Sequence, residues 1–85
     1  MRLVFTPNGW GDYTSWIQTD RAMVKRINKV IEDVLRDPVS GIGKPEPLRF
    51  DFKGAWSRRI NEEHRLVYLV DGEDIVVLQA RYRYE

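Results

Sequence analysis

The stretch TPNGWGDYTSWIQTDRAMVKRINKVIEDVLRDP, residues 6–38, predicts two consecutive helices and decides the class of fold. Thr6 followed by Pro7 is typical of a helix start, because threonine caps free N–H groups and proline fits the first helical position. A second start follows at Thr19-Asp20, and Asp37-Pro38 ends the second helix because proline disfavours helical backbone in the residue before it. In both helices the apolar residues recur at helical spacing. They are Trp10, Tyr13, Trp16 and Ile17 in the first helix, and Met23, Ile27, Val30, Ile31, Val34 and Leu35 in the second.

The periodicity changes from helical to alternating after residues 38–47, a loop that contains three prolines and two glycines. Tight turns separate the alternating segments that follow, and Asp71-Gly72 is a strong hairpin signal. Consecutive short strands joined in this way pair antiparallel. We therefore expect one α+β domain over residues 1–85, in which an N-terminal strand and a helical hairpin pack on a twisted antiparallel sheet of four further strands. The predicted strands are Arg2–Phe5 at the N-terminus and Leu48–Phe52, Trp56–Ile60, Leu66–Leu69 and Ile75–Tyr82 in the sheet.

Composition excludes several classes of protein. The chain has no cysteine and one histidine, so neither a disulfide framework nor a structural zinc site is expected, and no metal or cofactor is implied. Its apolar runs are too short for a membrane span or a signal peptide, which predicts a soluble, cytoplasmic protein without a membrane partner. A net charge of +1 is too small for indiscriminate binding to nucleic acid, although a local basic patch is compatible with it.

Glu46 is a candidate general base. It lies between Pro45 and Pro47, which restrain the backbone on both sides. A carboxylate on a restrained loop beside a basic sheet can accept a proton from a nucleophile. The alternative is an inert surface glutamate, and the residue pattern alone favours that alternative.

Basic residues concentrate in the predicted sheet. Arginine presents a planar, permanently charged fork that matches phosphate oxygens and can stabilise charge developing on phosphorus. The alternative is a solvated sheet face whose charges are balanced by neighbouring carboxylates. Strand alternation puts Arg58 on the opposite face from Arg59, so these residues cannot all share one site. The basic residues are Arg49, Lys53, Arg58, Arg59 and Arg65, and the carboxylates are Asp51, Glu62 and Glu63.

His64 and the C-terminus are further candidates. His64 could move a proton near neutral pH, but ordering of the turn that contains it is the favoured interpretation. In residues 81–84, Arg-Tyr-Arg-Tyr, tyrosine rings could stack on unpaired bases and arginines could bind phosphate. The alternative is an edge strand whose polar side chains discourage aggregation.

Three blocks of the second half resemble the Txe/YoeB toxins, a family within the RelE toxin superfamily. The blocks are Gly43–Leu48 (GKPEPL), Trp56–Ile60 (WSRRI) and Glu62–Tyr68 (EEHRLVY), and Arg81-Tyr82 followed by Tyr84 also fits the family. The resemblance spans essentially the whole chain. It implies a RelE-like α+β fold and a toxin of a toxin–antitoxin pair, in which the toxin is an endonuclease acting on mRNA at the ribosome. It also implies a YefM-like antitoxin as partner, with DNA reached only through that antitoxin. Together with the aromatic face of the first helix, it predicts a homodimer.

The resemblance also implies roles for individual residues. Glu46 would be the general base for attack of a 2′-hydroxyl on the adjacent phosphate, and Arg65, assisted by Arg59, would stabilise the transition state. Tyr84 would orient the nucleotide or assist at the scissile phosphate. Lys44, Arg49 and Tyr82 complete the residues expected to bind RNA.

Arg83 is the one departure from the family that bears on mechanism. The family has histidine there as the general acid, and arginine cannot donate a proton near neutral pH. Weaker cleavage is therefore expected, because Arg83 could neutralise the leaving group only electrostatically. Two other interpretations stay open: a module that binds ribosome or antitoxin with little cleavage, and a protein whose main task is corepression with its antitoxin at DNA.

Overall fold

The computed structural model describes residues 1–48 and 54–82. Over these residues the chain forms five strands and two helices. The helices are α1 (Pro7–Thr19) and α2 (Arg21–Arg36); the strands are β1 (Arg2–Phe5), β2 (Glu46–Pro47), β3 (Ala55–Arg59), β4 (Arg65–Asp71) and β5 (Asp74–Gln79). The α+β class expected from the sequence is confirmed.

The two helices begin and end at the residues that the sequence indicates. The Thr6 side chain accepts a hydrogen bond of 3.0 Å from the Gly9 N–H, and Pro7 occupies the first helical position. Asp20 ends α1 through its own N–H, which donates to the Trp16 carbonyl, and its carboxylate caps α2 at Ala22 and Met23. Asp20 is therefore the single extended residue between the two helices, and it caps both the end of α1 and the start of α2.

The sheet has the strand order β1-β5-β4-β3-β2. Neighbouring pairs among β2 to β5 are antiparallel, as expected. At one edge β1 pairs with β5 in parallel, so the five-stranded sheet is mixed. The helical hairpin carries the chain from β1 at this edge to β2 at the opposite edge.

Two strand boundaries differ from the prediction. The last strand ends at Gln79 rather than Tyr82, because Ala80 and Arg81 contact α1 and Tyr82 contacts the turn before β4. The strand predicted at Leu48–Phe52 lies outside the described residues except for Leu48, and the short strand found beside β3 is Glu46–Pro47. The Asp71-Gly72 hairpin is confirmed between β4 and β5, with Gly72 in the left-handed region at φ 58°.

Both helices pack on one face of the sheet. The apolar side of α2 meets the inward side chains of β4 and β5, and Trp16 of α1 joins them through an indole N–H that donates to the Ala80 carbonyl at 2.9 Å. Neither of the two helices formed by the described residues has the length and apolar character needed to cross a bilayer. The members of this core are Trp16, Met23, Ile27, Val30, Ile31, Val34, Ile60, Leu66, Tyr68, Ile75, Val77 and Ala80.

Candidate active site

The sheet face opposite the helices carries a carboxylate and two guanidinium groups. Glu46 pairs with Ser57 across β2 and β3, and Arg59 pairs with Arg65 across β3 and β4. Paired residues share a face, and so do residues two apart on one strand, so Glu46, Arg59 and Arg65 all project from this face. Two strand spacings and two residues along a strand separate the Cα atoms of Glu46 and Arg65, a distance of about 12 Å. Two long side chains can converge on one phosphodiester across that distance.

The loop before β2 fixes the position of Glu46. Gly43 has φ 78°, and its carbonyl accepts a hydrogen bond of 2.6 Å from the Arg59 N–H. A Cβ at residue 43 would lie 2.8 Å from the Arg59 carbonyl oxygen, so only glycine fits against β3 here. Lys44 follows with φ 51°. Its side chain is exposed, and so is that of Glu46, two residues later in the sequence. The loop is therefore fastened to β3 three residues before Glu46.

Arg58 lies on the helix side and not in the basic site. Its side chain is fully buried, and its guanidinium donates to the Asp33 carboxylate at 2.6 Å and to the Tyr68 hydroxyl at 3.1 Å. The same group also donates to the carbonyls of Asp37, Ser40 and Ile42 in the loop. The sequence offered a solvated sheet face as an alternative, with the basic residues balanced by carboxylates that do not include Asp33. That alternative is wrong for Arg58, because Arg58 is buried and Asp33 of α2 is its counter-ion.

The groups around Arg58 are held in defined protonation states. The Ile42 N–H and the Arg58 guanidinium, with a smaller contribution from Arg36, lower the pKa of Asp33 to about 2. Burial raises the pKa of Tyr68, so its hydroxyl stays protonated and donates to the Pro38 carbonyl at 2.6 Å. Arg58 thus ties the loop at residues 37–42 to both α2 and β4.

Arg65 stands at the first position of β4 with its guanidinium anchored. The Nη1 atom donates to the carbonyls of Asn61, Glu62 and His64 at 2.7, 3.1 and 3.1 Å. These bonds fix the orientation of a half-buried positive charge. A pre-oriented guanidinium of this kind can stabilise charge on a phosphate without reorganising.

The contact between His64 and Tyr82 brings the end of the described chain next to Arg65 at the start of β4. The Tyr82 N–H donates to Nδ1 of His64 at 2.7 Å, and the Arg65 N–H donates to the Tyr82 carbonyl at 3.0 Å. The Tyr82 ring is 62% exposed, so it is available to a ligand. We expected His64 to have a structural role by ordering the turn that contains it. The structure gives it a structural contact, but the hydrogen-bond partner of its ring is Tyr82, 18 residues away, and not a residue of the turn.

Five of the predicted site residues lie in the described part of the chain. The register of the sheet directs three of them to one face, and main-chain hydrogen bonds from Arg59 to Gly43 and from Arg65 to Tyr82 locate the other two near that face. Arg49, Arg83 and Tyr84 lie outside the residues that the structure describes. Within the described part of the chain, no cluster of three or more histidine, cysteine, aspartate or glutamate side chains could hold a metal ion. Besides the Asp33–Arg58 ion pair, the contacts near the site that the sequence did not predict include those of Gly43 and His64. A Gly-x-Gly pair in a proline-rich loop was the available signal for the first, and no local pattern marks the second. The five predicted site residues that the structure describes are Lys44, Glu46, Arg59, Arg65 and Tyr82.

A second exposed surface is formed by residues of β1, α1 and α2. Phe5, Trp10 and Tyr13 form a ring cluster with centroid separations of 5.4 to 5.9 Å. They line a groove of about 430 Å³ together with Leu3 and side chains of α2, and Trp10 is 53% exposed. The aromatic face predicted for α1 is thus divided, since Trp16 enters the core, Tyr13 packs against it half-buried, and Trp10 is exposed.

Comparison with known proteins gives consistent matches along the whole chain. Residues 5–84 match the family of YoeB-like toxins of bacterial type II toxin–antitoxin systems. Toxin YoeB of Streptomyces coelicolor is 54% identical over 84 residues, which cover 99% of this chain and all of that protein. The YoeB/ParE toxin from Agrobacterium tumefaciens superposes with a TM-score of 0.95 at 49% identity, with 99% of this chain and all of that chain covered. The YoeB dimer from Staphylococcus aureus gives a TM-score of 0.91 at 42% identity, with 99% and 98% covered. A YoeB–YefM complex from the same organism gives 0.89 at 41% identity over the same shares.

Proposed function

This chain belongs to the YoeB family of toxins of bacterial type II toxin–antitoxin systems, and we propose that it is an endoribonuclease that cleaves mRNA on the translating ribosome. The observation that carries the proposal is the register of the sheet, which directs Glu46, Arg59 and Arg65 to one face. A proton acceptor opposed by two cations is what a phosphodiester needs for attack by its own 2′-hydroxyl. The proposal places the activity in the cytoplasm, where ribosomes present mRNA.

Glu46 acts as the general base in this mechanism. Its carboxylate takes the proton of the ribose 2′-hydroxyl while that oxygen bonds to the adjacent phosphorus. The bond from phosphorus to the 5′-oxygen of the next nucleotide then breaks. The products are a 2′,3′-cyclic phosphate and a free 5′-hydroxyl, whose oxygen has taken a proton.

Arg65 and Arg59 stabilise the charge that gathers on the phosphate oxygens during this displacement. Arg65 suits the role because its Nη1 is anchored to three carbonyls, so little entropy is lost when it engages phosphate. Arg59 is exposed at the paired position. Lys44 and Tyr82 contact the RNA on either side, and we extend this role to Arg49, which the resemblance to the family implies.

Arg83 and Tyr84 complete the proposed site from the C-terminus. Arginine at residue 83 neutralises the leaving 5′-oxygen electrostatically but cannot protonate it. The proton then comes from Tyr84, from water or from a group of the ribosome. This mechanism predicts cleavage that is slower than that of a family member with histidine at this position.

Dependence on the ribosome agrees with the charge of the chain. The net charge of +1 gives little long-range attraction for free RNA. A protein of this kind gains from a substrate that another particle presents in the right orientation, because binding to the particle supplies the affinity that charge does not.

The test is expression of the chain without an antitoxin, followed by primer extension on a translated mRNA. We expect site-specific cuts with wild type and none with Glu46→Gln, which keeps the size of the side chain but removes the base. Glu73→Gln, an exposed glutamate in the β4–β5 turn, is the control and should cut as wild type does. Growth arrest without cuts, unchanged by Glu46→Gln, contradicts the nuclease. That outcome favours a module that binds ribosome or antitoxin, and arginine at residue 83 is the feature that would account for it.

We further propose that the chain binds a YefM-like antitoxin and forms a homodimer. The S. aureus relative occurs in solved structures both as a dimer and with YefM. The groove around Trp10 is the surface we assign to the second copy, because a half-exposed tryptophan beside Leu3 and Phe5 gains by burial. DNA contact belongs to the antitoxin in this scheme.

Light scattering coupled to gel filtration tests the dimer. Trp10→Ala should raise the dimer dissociation constant by at least about tenfold, since aromatic residues dominate interface energetics. Ile17→Ala is the control, because Ile17 is an exposed apolar residue of α1 that does not line the groove. Equal dissociation constants for the two variants contradict the assigned surface.

A further inference from the structure

The main chain of Tyr82 is held from both sides by the segment Asn61–Arg65. Its N–H donates to Nδ1 of His64 at 2.7 Å, and its carbonyl accepts from the Arg65 N–H at 3.0 Å. Gln79 adds a side-chain donor to the same carbonyl at 3.4 Å and a stronger one to the Arg81 carbonyl at 2.7 Å. These hydrogen bonds thus hold the main chain of Arg81 and Tyr82, just beyond the end of β5.

Tyr82 has a backbone conformation that is unfavourable for a tyrosine. Its φ is 64°, in the left-handed region that residues other than glycine, asparagine and aspartate rarely occupy. Such a residue keeps its conformation only when its surroundings impose it, and strained residues of this kind cluster at functional sites. The His64 ring is the side-chain group that accepts the Tyr82 N–H, so it is part of what imposes the conformation.

The contact defines the state of the His64 ring. A nitrogen that accepts an N–H donor carries no proton, so this hydrogen bond requires an unprotonated Nδ1. Nε2, the other ring nitrogen, lies 3.8 Å from the Glu63 carboxylate. The ring is buried and rests edge-on against Trp16 at 4.8 Å between centroids, and the centroid of the Tyr82 ring is 5.7 Å away. Packing therefore fixes the direction in which the acceptor lone pair points.

The same turn also anchors Arg65. The His64 carbonyl accepts from Nη1 of Arg65, alongside the carbonyls of Asn61 and Glu62. Asn61 in turn orders the turn, because its side-chain oxygen accepts from the N–H groups of Glu63 and His64 at 2.9 and 2.7 Å. One rigid turn thus sets both the guanidinium of Arg65 and the main chain of Tyr82.

We propose that His64 is a positioning residue for cleavage, whose Nδ1 holds the main chain of Tyr82 against the start of β4, where Arg65 stands. The proposal rests on the proposed nuclease function. It assigns His64 no contact with RNA and no proton transfer with the substrate. Its effect is to keep Tyr82, a residue proposed to contact RNA, next to Arg65.

Two nearly isosteric variants separate this role from simple core packing. His64→Asn keeps an acceptor close to where Nδ1 lies, whereas His64→Leu keeps similar branching and removes the acceptor. In single-turnover cleavage on mRNA-programmed ribosomes, we expect the maximal rate to fall at least about tenfold in His64→Leu, with the half-saturating concentration unchanged. His64→Asn should recover most of the rate. Equal rates for His64→Leu and wild type overturn the proposal, and so does failure of His64→Asn to exceed His64→Leu.

A measurement on the wild-type chain keeps the proposal testable even where a variant fails to fold. The ¹⁵N chemical shift of His64 Nδ1 distinguishes a bare from a protonated nitrogen, and hydrogen exchange reports whether the Tyr82 amide is bonded. We expect a bare Nδ1 and a protected amide at neutral pH; a protonated Nδ1 or an unprotected amide overturns the proposal.

Glu46→Gln, assayed in parallel, separates the failure of this inference from failure of the nuclease proposal. If Glu46→Gln still cleaves, the proposed mechanism is wrong, and with it the role of His64 that rests on it. If Glu46→Gln is inactive and His64→Leu cleaves as wild type, only the positioning role is wrong.

Discussion

Asp33 and Arg58 form an ion pair of 2.6 Å between α2 and β3, with the guanidinium fully buried. The pair also organises the loop that leads to Glu46, because Arg58 donates to the carbonyls of Asp37, Ser40 and Ile42. Gly41 lies so close to the Asp33 carboxylate that a Cβ there would collide with it. Arg58 is thus part of the scaffold that positions the loop before Glu46, although its neighbour in sequence, Arg59, is a residue of the proposed site.

Removal of the buried guanidinium should destabilise the fold strongly. Arg58→Met leaves Asp33 without its main cation and three loop carbonyls without a donor, so we expect the free energy of unfolding to fall by about 3–5 kcal/mol. Urea denaturation followed by circular dichroism measures it. Arg59→Met is the matched control, because the neighbouring side chain is exposed on the other face and should cost less than about 0.5 kcal/mol. Similar losses in the two variants would show that burial of Arg58 does not matter.

Acid should weaken the protein through Asp33. Its pKa in the folded state is about 2, below the ordinary value of 3.8, so protons bind the unfolded chain first. The stabilising contribution is therefore complete above about pH 4 and is lost as pH falls from 3.8 towards 2. Urea midpoints measured at steps through this range should decline in wild type and decline less steeply in Asp33→Asn. Parallel curves for the two proteins would contradict the assignment, since Asp37 and Asp74, whose pKa values are also lowered, are present in both.

Local patterns in the sequence predicted most of the scaffold. The Thr6-Pro7 start, the Asp20 cap and the Asp37-Pro38 stop are short-range signals, and each is found in the structure at the expected residue. Alternation placed Arg58 and Arg59 on opposite faces for the same reason, because the strand period depends on the backbone alone. What alternation could not show is which face the helices cover, and hence that Arg58 has a counter-ion in α2.

The parts that escaped prediction depend on contacts between residues remote in sequence. The parallel pairing of β1 with β5 joins the two ends of the described chain, and no turn signal encodes it. The bond from Tyr82 to His64 has the same character. Placement of Glu46 was predicted only as a loop residue beside the sheet, since its pairing with Ser57 requires the docking of Gly43 on β3.

Gly43 should be intolerant of a side chain, whereas Gly11 should benefit from one. Gly43→Ala forces a Cβ to within 2.8 Å of the Arg59 carbonyl at a φ of 78°, so we expect a loss of more than about 1 kcal/mol in stability and slower cleavage. Gly11 lies within α1 with nothing near its Cβ position, and Gly11→Ala should add about 0.5–1 kcal/mol. Thermal melts and primer extension on both variants measure these effects. A Gly43→Ala protein that melts and cleaves as wild type would show that the loop does not depend on its contact with β3.

Replacement of Arg83 by histidine should increase the rate of cleavage. Histidine can protonate the leaving 5′-oxygen, and general acid catalysis is worth on the order of 10²–10⁴-fold in rate. We therefore expect Arg83→His to raise the single-turnover rate on programmed ribosomes by about tenfold or more, the smaller figure allowing for protons already supplied by water or Tyr84. Arg83→Gln is the control, because it removes the positive charge without adding an acid, and its rate should fall below that of wild type. An Arg83→His rate equal to or below wild type would mean that leaving-group protonation does not limit cleavage in this toxin.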